Sequence, residues 1–248
     1  MSPHLLALNA INSKTCQHMQ NRILLLFSLL FAIAGSAKAQ VKLYDPEAEL
    51  SLALGLNSNT AYEMEAAVAV YPLQWVGVSL GFNVSRQRDS AWEDIMHTSN
   101  EKAVSWNLEE KKLIACSLIP SLSLRTPVLH LGKHHAAGLF LQADAGLNTV
   151  LFPNRKVTFN IVTPQGAGQL DHSTETRTNH NARWFYWRSK FSVAYRLDEA
   201  VFSAGCGVSN FDIYGGMRNI QIHGEQLNNY LPERENTVTF FISIAATL

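Results

Sequence analysis

Glu63 and Glu65 stand two positions apart in "YEMEAAVAVYP", and Arg188 and Lys190 stand two positions apart in "RWFYWRSKF". On a β-strand, where side chains alternate between faces, each pair points the same way. Carboxylates gathered out of water can run acid–base or proton-linked chemistry. Carboxylates set against guanidinium and ammonium groups neutralise one another instead, because a buried charge is kept only when it is paired. Glu49 and Asp144 have the same setting, each flanked by apolar residues in "AELSLALGLN" and "LFLQADAGLN". The spacing predicts one inner-face network of Glu49, Glu63, Glu65, Asp144, Arg188 and Lys190. We read it as a plug of a narrow lumen in preference to a polar pore.

The other chemistry-bearing residues point to no reaction. "DHST" (171–174) sets Asp171, His172 and Ser173 in a row, but a triad meets through the fold and not along the chain. A barrel that hydrolyses lipid presents Ser and His on outward strand positions. Here no outward strand position is a histidine, and Ser189 is the one outward serine. His97, His130, His134, His135, His172, His180 and His223 are scattered, and adjacent histidines such as His134 and His135 rarely hold a metal without further ligands. We therefore expect no catalytic residues, no metal and no cofactor. The chain has 20 basic and 20 acidic residues and no basic stripe, so nucleic acid is not an expected partner.

Eight segments carry the alternation that would position the network, each long enough for the roughly 9–11 residues of a membrane-spanning strand. Outward apolar residues are Leu50, Leu52, Leu54 and Leu56 in the first, then Tyr62, Met64, Val68 and Val70, then Val76, Val78, Leu80, Phe82 and Val84. The fourth has Ile114, Cys116, Leu118, Leu122 and Leu124, with Ile119 out of pattern and a bulge expected at Pro120. The fifth has Leu139, Leu141 and Leu147; the sixth, Phe185, Trp187, Phe191, Val193 and Tyr195; the seventh, Phe202, Cys206 and Val208. The eighth is "TVTFFISIAATL" (237–248), expected to close a barrel against the first. Gly and Ser on the opposite face suit a narrow interior. Connections near 71–74, 126–136 and 196–200 are short, while those at 86–111, 149–182 and 211–236 are long and polar, as in outer-membrane barrels with short periplasmic turns.

The expected fold is all-β: an up-and-down antiparallel transmembrane barrel of eight strands over residues 40–248, with long extracellular loops. A ten-strand alternative counts Val104–Leu108 and Val157–Ile161 separately. The parity that Val104, Trp106 and Leu108 share with Ile114 favours one long fourth strand, and "VTFNIV" (157–162) forms a small hairpin above the barrel. Tyr44, Trp75, Tyr195 and Phe202 are expected at one membrane interface, and Tyr62, Trp106, Trp184 and Trp187 at the other.

Residues 1–39 read as a secretory signal peptide. They hold Lys14, Arg22 and Lys38 but no acid, and after Arg22 comes an apolar run ending in "AKA" before Gln40. Removing them leaves 17 basic residues against 20 acidic ones in a mature chain starting at Gln40. The stretch before Met19 is read as an N-terminal extension from an early start codon. Cys116 and Cys206 are expected on strands four and seven, facing outward and unbridged.

The hairpins, "YPLQWVGVSLGF" and "GVSNFDIYGG" resemble the small β-barrel outer-membrane proteins of Bacteroidetes-type bacteria. That resemblance implies the outer membrane of a Gram-negative cell, outer-membrane lipid as surroundings and the barrel assembly machinery as a biogenesis partner. It implies no particular activity. The expected role is structural or surface-binding through the external loops, with an unidentified surface ligand. A small-solute channel of porin type is the alternative, and a membrane-embedded lipid hydrolase comes third.

Overall fold

The computed structural model of the protein describes residues 46–58, 61–88, 97–98, 104–109, 112–131, 137–165, 169–232 and 236–248. The signal segment, Gln40 and Tyr44 lie outside the described residues. Among those residues no helix is long and apolar enough to cross a membrane. The strands begin with β1 (Glu47–Asn57), β2 (Ala61–Leu73), β3 (Val76–Gln87), β4 (His97–Thr98), β5 (Ser105–Leu108), β6 (Ile114–Arg125), β7 (Leu129–Leu131) and β8 (Ala137–Val150). They continue with β9 (Lys156–Gln165), β10 (Gln169–Thr178), β11 (Phe185–Leu197), β12 (Ala200–Ser209), β13 (Gln221–Ile222), β14 (Glu225–Gln226) and β15 (Thr237–Thr247).

Eight of these strands close an antiparallel, up-and-down barrel in the order β1, β2, β3, β6, β8, β11, β12 and β15. The seam joins β15 to β1, with Leu52 opposite Ile244, and the Leu248 N–H donates to the Ala48 carbonyl at 2.8 Å. Closure leaves no barrel strand with an unpaired edge. The residue pattern sets the faces: Leu54 is 53% exposed, whereas Glu49 on the alternate face of the same strand is 3% exposed. Leu80, Leu141, Phe191, Val193, Ile242 and Ile244 are likewise exposed on the outside. Tight turns join the strands at one end. Gln74 and Trp75 link β2 to β3, and Asp198 and Glu199 link β11 to β12, with Asp198 at φ 51° in the left-handed region that two-residue hairpins favour.

A second, four-stranded sheet in the order β10-β9-β5-β4 is built from the long loops at the other end. It corrects the expectation for Val104–Leu108. Ser105 pairs with Val162 and Leu108 with Phe159, so this segment leaves the fourth barrel strand and joins the β9–β10 hairpin. The gain is burial: Val104, Trp106, Leu108, Val157, Phe159 and Ile161 join one apolar core with residues of 211–231. Neither this segment nor Val157–Ile161 adds a strand to the barrel. Trp106 is 0% exposed inside that core and is not an interface aromatic.

Pro120 also departs from expectation. The β3–β6 register runs unbroken from Val76 opposite Leu124 to Arg86 opposite Ile114. On the β8 side, pairing skips Ile119 and Pro120 without a shift, because proline has no N–H to give and the ladder omits that rung. The register shift lies in the β2–β3 hairpin, between Val70 and Leu73. Ile119 points inward, buried, as its parity requires.

Candidate functional site

The six charges predicted for the interior all point into the lumen, where they form two layers. In the middle layer, Glu65 on β2 receives Arg188 Nη1 at 2.6 Å and Lys190 Nζ at 2.7 Å, both from β11 across the lumen. Arg188 Nη2 also lies 3.3 Å from Glu63 Oε2. Glu63 Oε1 accepts hydrogen bonds from Asn57 Nδ2 at 2.8 Å and Thr239 Oγ1 at 3.3 Å. These charges are held in place by the wall. A side chain at Gly81 would crowd Glu65, and one at Gly207 would meet Lys190.

The layer nearer the tight turns centres on Glu49. Arg125 on β6 forks onto it, with Nη1 2.8 Å from Oε1 and Nη2 against Oε2. Such two-pronged geometry is the strongest form of the ion pair. Arg196 Nη2 reaches Glu49 at 3.4 Å and Glu47 at 2.8 Å. The Arg125 guanidinium also stacks 3.6 Å from the centre of the buried Tyr71 ring and 5.0 Å from that of Phe140. Arg125, Arg196 and Glu47 were missed as members of the network. Their parity could have revealed them, since Arg125 and Arg196 share the inner faces of β6 and β11.

Asp144 and Lys190 are direct neighbours in the β8–β11 register. Their side chains nevertheless choose other partners. Lys190 crosses to Glu65, while Asp144 accepts hydrogen bonds from Ser123 Oγ and from Gln142 Nε2 at 2.9 Å. Between the layers is a cavity of about 80 Å³ lined by Ser51, Ser79, Ser121, Asp144 and Lys190 among others. That is room for several water molecules.

Side chains pack into both ends of the lumen. Toward the tight turns, Phe140, Ala194, Val201 and Ala245 form a small apolar cluster inside the barrel. Toward the long loops, residues 211–231 fold down as a stopper whose core includes the barrel residues Ala61, Ala115 and Tyr186, with Leu113 just before β6. Gln87 Nε2 donates to Tyr214 Oη at 3.1 Å, and Thr237 Oγ1 donates to the Phe211 carbonyl at 2.7 Å. The Tyr186 and Phe211 rings meet edge to face at 5.4 Å. Above them Trp106 is held between Phe159 and Tyr230 at 5.6 and 5.2 Å. Tyr230 Oη donates to Glu225, and that bond pushes the Tyr230 pKa up to about 12. Reading 211–236 as a polar loop missed this stopper. Its signal was the apolar series Phe211, Ile213, Tyr214, Met217, Ile220, Ile222, Leu227 and Leu231.

Asp171, His172 and Ser173 lie on β10, where His172 points to the opposite face from the other two. His134 and His135 lie outside the described residues, and among the described residues no three His, Cys, Asp or Glu side chains converge on one point. Cys116 and Cys206 are free thiols on β6 and β12.

No protein-family model matches the chain, and no curated protein matches it in sequence. Solved structures with a similar fold include a major outer membrane protein from Thermus thermophilus, at TM-score 0.44 and 11% identity, over 83% of this chain and 100% of that one. A de novo designed transmembrane β-barrel is similar at TM-score 0.38 and 8% identity, over 84% of this chain and 100% of the design. Neisserial surface protein A is similar at TM-score 0.37 and 7% identity, over 82% of this chain and 97% of that one.

Proposed function

We propose that the protein is a non-conducting, non-catalytic barrel of a Gram-negative outer membrane that carries its loop sheet at the cell surface. The observation that carries the closed-lumen reading is the Glu63–Arg188–Glu65–Lys190 cluster, which spans the interior from β2 to β11. An ion-pair cluster held across the interior, beneath a folded stopper, supports a lumen that does not conduct. The membrane setting rests on the outward belt of Leu, Val, Ile and Phe from all eight strands, an apolar surface far larger than water-soluble monomers expose. The proposal includes export by the signal segment, a mature start at Gln40, insertion by the barrel assembly machinery and kinship with the small Bacteroidetes-type barrels.

Planar-bilayer recording of the refolded protein tests the reading. No unitary conductance steps are expected. Steps that vanish when Lys190 is replaced would establish instead a small-solute channel, the reading favoured by the serine-lined cavity between the two charge layers. Surface labelling of intact cells at the β9–β10 hairpin tests location, and pull-down against glycans and envelope proteins tests for a surface ligand.

A further inference from the structure

The outer strand of the loop sheet, β10, carries a second kind of information. Among the described residues its one strand neighbour is β9, and no described strand pairs with its other edge. The β9–β10 register runs from Gln169 opposite Gln165 to Thr178 opposite Lys156 without a shift. Natural sheets blunt open edges with charged side chains, lysine above all, and with proline, bulges or short strands. β10 is ten residues long, reads "QLDHSTETRT", contains no proline, glycine or lysine, and has nine residues exposed. Its N–H and C=O groups are a template for an added strand.

The charges on β10 select the added strand. Asp171, Ser173, Glu175 and Arg177 share one face, the same face as Val157, Phe159 and Ile161 of β9. If a second copy of β10 pairs antiparallel about a two-fold axis through Thr174, Asp171 stands opposite the second copy's Arg177, and Arg177 opposite its Asp171. Ser173 then stands opposite Glu175. Centring on Ser173 would oppose Asp171 to Glu175, and centring on Glu175 would oppose that carboxylate to itself. Directly opposed like charges destabilise a strand pair. Centring on Thr176 sets Glu175 against Arg177 but overlaps only the last five residues of the strand. The Thr174-centred register gains two cross-strand ion pairs over nearly the whole strand. Arg177, half exposed, now bonds the partly buried Glu175 on its own strand, and Glu175 keeps His223 at 3.7 Å when Arg177 turns to the second copy.

We propose that β10 is a homotypic docking edge, through which two copies of this chain join their loop sheets about Thr174. The pairing lies outside the barrel and holds whether or not the lumen conducts. The full-length mature protein in detergent micelles, where both barrels can reorient freely, is the material for the test. In a Cys116→Ala, Cys206→Ala background, Thr174→Cys is expected to oxidise to a disulfide-linked dimer, whereas His172→Cys and Thr176→Cys remain monomeric. Arg177→Asp is expected to abolish the dimer seen by light scattering, and adding Asp171→Arg to it restores the doubled mass. Heat-modifiable gel mobility checks that each variant keeps its barrel. A wild-type protein that stays monomeric at all concentrations overturns the proposal, as does equal cross-linking at all three cysteines. Failure of the charge swap to restore the dimer overturns the register. Stable capture of a different protein by β10, with no self-association, assigns the edge to that partner instead.

Discussion

In the barrel, Leu52 is 47% exposed while the carboxylate of Glu49 is shut away beneath Arg125; in the loop sheet, Trp106 is shut away while Asp171 and Arg177 face water. The same chain thus builds one polar interior inside an apolar coat and one apolar interior inside a polar coat. The two meet along the barrel mouth, where Tyr186 and Ala115 are buried against Phe211 and its neighbours. A residue's effect on stability therefore depends on which core it serves. Removing a charge should harm the first, and removing an aromatic the second.

The largest expected effect is on the polar core. Arg188→Met leaves Glu63 without its guanidinium and Glu65 with Lys190 alone, at a cost of about 3–5 kcal/mol. Urea unfolding from lipid vesicles measures it. The same assay should find Lys190→Met strongly non-additive with Glu65→Leu and less so with Asp144→Leu, since Lys190 bonds the first and only stands beside the second. An unchanged Arg188→Met protein would show that the lumen charges are not a true core.

Trp106→Ala should remove about 3–5 kcal/mol from the apolar core while leaving the barrel closed. The expected signature is faster proteolysis within 151–232 with heat-modifiable mobility intact. Loss of both together would merge the two cores into one cooperative unit.

A third substitution is made in both coats. Leu52→Arg on the barrel's outside should cost about 2–4 kcal/mol in a bilayer, and Ser51→Thr on the inner face should be tolerated. Leu170→Arg, at a leucine somewhat more exposed on β10, should leave stability unchanged because its surroundings are already water. Equal detergent resistance for the two arginine variants would erase the distinction between the coats.

The smallest effect concerns the wall itself. An added methyl at Gly205 would collide with the Phe191 carbonyl and with Ser192, so Gly205→Ala should cost about 1–3 kcal/mol through local strain. The midpoint of urea unfolding reads it, and a wild-type midpoint would mean that β11 and β12 can separate there freely.

The barrel was legible because a strand between two different surroundings prints its period directly into the sequence. Each barrel strand pairs its neighbour over long stretches, and parity carried nearly every residue to the correct face. Parity could not say which charges meet. Register identifies neighbours within the wall, such as Asp144 and Lys190, but a lysine is long enough to cross a narrow interior to Glu65. The second core was illegible for another reason. Its apolar residues come from Trp106, Phe159 and the Phe211–Leu231 stretch, each too short or too mixed with polar residues to announce a face alone. The parity shared by Val104–Leu108 and Ile114 reflects no continuity, and hydrogen bonding to β9 broke the apparent strand.

The stopper's core takes residues from segments some fifty positions apart, among them Trp106, Phe159 and Phe211. Trp106 and Phe159 meet through the β5–β9 pairing, and the core they share with Phe211 is seated on Ala61 of β2, Ala115 of β6 and Tyr186 of β11. Contacts this remote in sequence cannot be collected early, because chain closure must come first. The stopper is thus expected to act as a latch that engages late. Its free energy then goes to a ring in which β2, β6 and β11 already stand together, and unfolding that starts at the mouth must first undo it.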